Sequence, residues 1–73
     1  MLKRNVRIQF EAKKKELDMN LANNYKDLAH DALKELDTMV MKFKEDNLIN
    51  EKDYNKLSFI VSEYKTKMSH YHH

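Results

Sequence analysis

The chain has 73 residues, 36% of them charged, with no cysteine, glycine or proline and a formal net charge of +2. A chain this short buries only about 60% of its unfolded surface, and without cysteine neither a disulfide nor a thiolate metal site can supplement its thin core. The lack of Gly and Pro argues against a sheet-rich domain with many tight turns, and a glycine-rich phosphate-cradling loop cannot be built at all.

Residues 3–10, KRNVRIQF, are compatible with two structures. Val6, Ile8 and Phe10 alternate with Asn5, Arg7 and Gln9, as in a half-buried strand. The segment also runs without a breaker into EAKKKELDMNL, which has helical character. At about 100° per residue, Val6, Phe10, Leu17, Leu21, Tyr25 and Leu28 share one stripe, which favours helix throughout. Ile8, Ala12 and Met19 then fall together on the opposite side, a second apolar strip that a lone helical hairpin cannot bury.

The next stretch, NLANNY, contains Asn20, Asn23 and Asn24, all poor helix-interior residues, and NYKD repeats an Asn-x-x-Asp cap pattern. Two arrangements therefore stand side by side: a helix running from about residue 4 to 46, or the same segment split at 22–24. Leu28, Ala32, Leu36, Met39, Val40 and Phe43 form the stripe of its second half, over about 25–46. A turn at 46–50 follows, where Asn47 takes the left-handed conformation of a helix C-cap and Leu48 and Ile49 cover the end of the hairpin.

The last helix is predicted over about 51–69. Tyr54, Leu57, Val61, Tyr64, Met68 and Tyr71 recur at intervals of three and four, the spacing of a single seam as in coiled coils. Asn50 caps it by accepting from the backbone N–H of Asp53, and Glu51 favours the helix dipole. Phe59 points about 140° away from this seam at 100° per residue. Residues 70–73 are a polar, His-rich tail. The expected fold is all-α: a long N-terminal helix, whole or broken, with an antiparallel C-terminal helix, as a helical hairpin or three-helix bundle.

The segment FKEDNLINEKDYNKL (43–57) resembles the short helical modules called SHOCT domains, in which a helix end, a glycine-containing turn and a second helix follow one another. Leu48, Ile49, Glu51 and Tyr54 match that pattern as they stand. Asn47 replaces its Gly, Asn50 its Thr and Asp53 a Glu. The resemblance covers residues 43–57 alone and implies a small non-catalytic module that mediates oligomerisation.

No residues assemble into a catalytic pattern. The serines and threonines lie in no glycine-flanked elbow and beside no local His and acid pair, so the chain is not expected to be an enzyme or to hold a cofactor or small-molecule substrate. His70, His72 and His73 cluster at the end of the chain with His30 remote, and a frayed tail offers nothing to orient metal ligands, so no metal site is predicted. Glu35 and Asp37, with Asp27 and Asp31, read as a solvated face. No apolar run reaches the roughly 18 residues of a membrane span, and MLKRNVRIQF lacks the apolar core of a secretory signal. A soluble cytoplasmic protein is expected.

Two functional readings remain. In the first, more apolar helix surface exists than one short chain can hide, so the chain forms a homodimer and presents helix faces to a partner protein, with Val6, Ile8, Phe10, Leu17, Met19, Leu21 and Phe59 at the interface. The second starts from charge: residues 1–15 carry six basic side chains against Glu11 alone, a net +5, while the other 58 residues net −3. If 4–10 is a basic strand, the chain resembles the ribbon-helix-helix repressors. Asn5, Arg7 and Gln9 would then face bases, while Lys3, Arg4, Lys13, Lys14 and Lys15 would hold DNA phosphates. A basic amphipathic contact with an anionic membrane or RNA through 1–15 is less well matched, since the apolar arc lacks the Trp or Leu cluster that anchors such helices.

Overall fold

The computed structural model describes residues 2–69, which form α1 (Arg4–Ala22), α2 (Lys26–Glu45) and α3 (Glu51–Met68). Tyr71 and the histidines of the C-terminal tail lie outside the described residues. The fold is all-helical. Residues 4–10 are the first turns of α1, so the strand on which the DNA reading rests is not formed. The long helix of the hairpin arrangement is likewise replaced by two, separated at Asn23–Tyr25.

Both turns are built the same way. At the end of α1, Asn24 adopts φ 63°, its N–H donates to the Leu21 carbonyl at 3.1 Å, and the Tyr25 N–H donates to Asn20 at 2.8 Å. After α2, Asn47 adopts φ 58°, its N–H donates to Lys44 at 3.1 Å, and the Leu48 N–H donates to Phe43 at 2.9 Å. Each is a Schellman motif with asparagine in the left-handed position that glycine usually fills. Asn47 matches its expected role. Asn24 does not match the cap pattern read from NYKD: it closes α1, and Tyr25 occupies the N-cap of α2 with no side-chain cap bond. Asn50 accepts from the Asp53 N–H at 2.8 Å and starts α3 as expected.

The chain therefore runs up, down and up, with α1 and α3 parallel and both packed chiefly on α2. The body measures 38 × 19 × 16 Å. Ala29, Ala32, Leu33, Leu36, Val40 and Phe43 of α2 all face inward, within about 100° of arc at about 100° per residue. Leu28, expected in that stripe, is exposed, and Met39 is only partly covered. From α3 come Leu57, Val61, Tyr64 and Met68, and Ile49 closes the turn end.

Asn47→Ala is expected to lower stability by about 1 kcal/mol, the approximate cost of placing a β-carbon in the left-handed region without asparagine's local hydrogen bonding. Asn47→Gly should leave stability unchanged or raise it. Urea denaturation of the two variants checks this, and equal losses in both would show that the turn does not depend on backbone conformation.

Candidate interaction surface

Helix α1 carries two apolar seams. Val6, Phe10 and Leu17 face α2 and α3 and are buried, Leu17 fully at 0% exposure. These three were expected at a partner interface and belong instead to the chain's own core. Leu21 is partly buried and packs against the same cluster. The physical reason is that the third helix completes an enclosure that a two-helix hairpin lacks.

The second seam faces solvent. At about 100° per residue, Ile8, Ala12, Lys15, Met19 and Ala22 lie within about 80° of arc, opposite the buried seam. Their intervals are four, three, four and three, and all five are exposed, with Ile8 at 53% and Met19 at 56%. Lys15 and Ala22 were not singled out from the sequence as members of this seam; the 3,4 spacing used to place α3 would have found them.

Phe59, 64% exposed, stands on the rim of a second apolar feature. Since α1 and α3 each lean on α2, a shallow groove lies open between them. One part, of about 700 Å³, is lined by Lys14, Phe59, Ile60, Glu63, Tyr64 and Lys67 among others. The adjoining part, about 550 Å³, has Leu2, Phe10, Leu57, Phe59 and Ile60 in its walls. Leu2 and Ile60 escaped the sequence reading because neither lies on a helix seam; only the spacing of α1 from α3 makes them groove residues.

At one point the two helices are tied across this groove. The Tyr64 hydroxyl donates to the Asp18 carboxylate, and Lys14 sits 3.7 Å from the other oxygen of Asp18. Burial of the phenol raises the pKa of Tyr64 above the usual 10.0, and the bond to Asp18 and its negative charge add to the shift. On the other side of α1, the Lys13 ammonium donates to Glu35 of α2 at 2.5 Å and to Glu16 at 3.3 Å. The Glu35 bond raises the Lys13 pKa, and desolvation partly offsets the rise.

The residues of the DNA reading are accordingly dispersed. At about 100° per residue Asn5 and Gln9 lie about 40° apart on α1 with Arg7 on the opposite side, so the three share no face, while Lys13 and Lys14 are engaged in ion pairs and Lys15 belongs to the outer seam. Lys3 is the N-cap residue of α1, and Arg4 opens its first turn. Among the described residues no cluster of three or more His, Asp or Glu side chains has metal-binding geometry, and no helix is long and apolar enough to cross a membrane. The chain matches no family model, and neither a curated protein nor a solved structure matches it.

Two outcomes separate core from surface. Leu17→Ala should cost about 2–5 kcal/mol of folding stability, whereas Ile8→Ala should stay within about 0.5 kcal/mol when measured by urea denaturation at protein concentrations low enough to exclude association. Comparable losses would mean that the two seams are not opposite in environment.

A second test concerns alkaline pH. Because the pKa of Tyr64 is raised in the folded state, its contribution is complete below the unfolded tyrosine value and lost as pH climbs toward the folded one. Stability should therefore fall above about pH 10, where unfolded tyrosine ionises, and Tyr64→Phe should remove part of that fall. Phenolate absorbance should show a component that ionises above the usual tyrosine range in the native chain and is missing from Tyr64→Phe. Absence of that late component in the native chain would contradict the assignment.

Proposed function

We propose that this chain is a small non-catalytic helical interaction module that self-associates through the outer face of α1 and in that state presents helix surface to a partner protein. The observation that carries the reading is the second seam of α1, a 3,4-spaced apolar stripe on the side of the helix away from the core. Singly exposed apolar residues are ordinary on small proteins. A periodic stripe is different, since its spacing is the one that lets two helices pack along their length.

Size alternates along the stripe in a way that suits a second copy. In an antiparallel two-fold pair centred near Lys15, Ile8 of each copy lies opposite Ala22 of the other, and Met19 lies opposite Ala12. Large side chains then meet small ones, which keeps the helix axes close without overpacking. Lys15 reaches water from the centre of the pair while its methylene stem covers apolar surface. The resemblance of residues 43–57 to oligomerising modules points the same way. The exposed Phe59 and the groove beside it form a separate apolar surface that can be offered to a partner.

An interface of one helix face is at the small end for specific association, so a dissociation constant on the order of micromolar is expected. Sedimentation equilibrium should show a monomer–dimer equilibrium in the native chain. The double substitution Ile8→Glu with Met19→Glu should give a monomer that keeps its helical circular dichroism. A native chain that stays monomeric at high micromolar concentration overturns the proposal.

A further inference from the structure

The parallel course of α1 and α3 brings the first turns of both helices to one end of the molecule. There, a cleft of about 500 Å³ is lined by Arg4 and Arg7 from α1 and by Lys52 and Lys56 from α3, with Leu2, Asn50 and Asp53 completing its walls. Arg7 and Lys52 are 45 positions apart in the chain and become neighbours only through the fold. We propose that this cleft binds a compact di- or triphosphate group, of the kind carried by inorganic pyrophosphate or a nucleotide.

Arg4, Arg7, Lys52 and Lys56 differ from the other cations in being gathered around one concavity. Four lysines are paired inside the molecule, Lys13 with Glu35 and Glu16, Lys14 with Asp18 and Lys65 with Asp37 along the bundle, and Lys44 with Glu51 at the turn between α2 and α3. None of the ion pairs formed among the described residues involves Arg4, Arg7, Lys52 or Lys56. Four like charges gathered in one concavity repel one another, and an anion placed among them removes that repulsion.

Two guanidinium groups offer planar paired donors matched to phosphate oxygens, and two ammonium groups supply mobile point charges. Asp53 is the one carboxylate in the lining, buried and already engaged in an interaction, so the cations outnumber it four to one. The volume lies in the range of small-ligand pockets rather than of extended polymer grooves. Leu2 gives the site an apolar edge, which suits a phosphate attached to a ring or chain more than a bare halide.

The site is independent of the α1 seam, because it is formed at the helix ends. The test is an NMR titration of the full-length native chain with sodium pyrophosphate at constant ionic strength, with sulfate and a single-stranded oligonucleotide in parallel. The expected result is saturable one-to-one binding with shifts centred on Arg4, Arg7, Lys52 and Lys56, at least about tenfold tighter than for sulfate. Arg7→Gln and Lys56→Gln should each weaken it about tenfold, the loss of one charge-assisted contact. Lys34→Gln, on the exposed side of α2, should leave it unchanged; circular dichroism establishes that each variant is folded. Absence of saturation, equal loss in Lys34→Gln, or tighter binding of the oligonucleotide than of pyrophosphate would each overturn the assignment.

Discussion

The whole arrangement depends on α2 being packed from two sides. Ala29 and Ala32 present almost no bulk, and Leu33, Leu36, Val40 and Phe43 fill the remainder of its buried face. Helices α1 and α3 then share a partner rather than a broad face with each other. Two features follow from that geometry: the groove between α1 and α3, and the freedom of the side of α1 turned away from α2. A bundle in which α1 and α3 packed broadly on each other would lack the groove.

Glycine is absent, yet two reversals of direction must be made within a few residues each. Asparagine makes both, because its short polar side chain lowers the cost of the left-handed conformation that other non-glycine residues resist. This explains why one turn was legible and the other was misread. Asn47 follows a long helical stripe and precedes an obvious cap at Asn50, so its position as a helix end was unambiguous. Asn24 stands next to Asn23 and three residues before Asp27, and the same residue type serves an N-cap through its side chain or a C′ position through its backbone. Residue identity alone does not distinguish the two uses.

The helical class, the α3 seam and its Asn50 cap were legible because each rests on local periodicity or local hydrogen bonding. What depended on the third dimension was not. Val6, Phe10 and Leu17 were placed at an interface because α1 has apolar residues on opposite sides and spacing does not say which side is covered. The buried seam holds Phe10, Leu17 and Val6, and the exposed one Ile8, Met19, two alanines and a lysine, so side-chain size separates the two only in part. Leu28 lies about 40° beyond the edge of the buried arc at about 100° per residue, while Ala29 and Leu33 lie inside it, so the true stripe is rotated from the expected one rather than widened. The basic cleft was out of reach for a related reason, because Arg4 and Arg7 join Lys52 and Lys56 only if α1 and α3 run parallel.

Charge is distributed along the bundle with a consistent logic. The pairs linking α1 to α2 and α2 to α3 are exposed, so each is worth at most about 1 kcal/mol, and their main effect is to fix which faces of the helices meet. Lys13 to Glu35 and Lys65 to Asp37 flank α2 on opposite sides and oppose rotation of either neighbour about its own axis. Tyr64 to Asp18 supplies the direct polar link between α1 and α3. With the helices held in rotation, the outer seam of α1 is kept facing away from the core as a continuous line. That is the physical condition for a weak stripe of Ile8, Ala12, Met19 and Ala22 to act as a recognition surface, since a helix free to roll would hide its larger residues against its own neighbours and leave nothing ordered to bind.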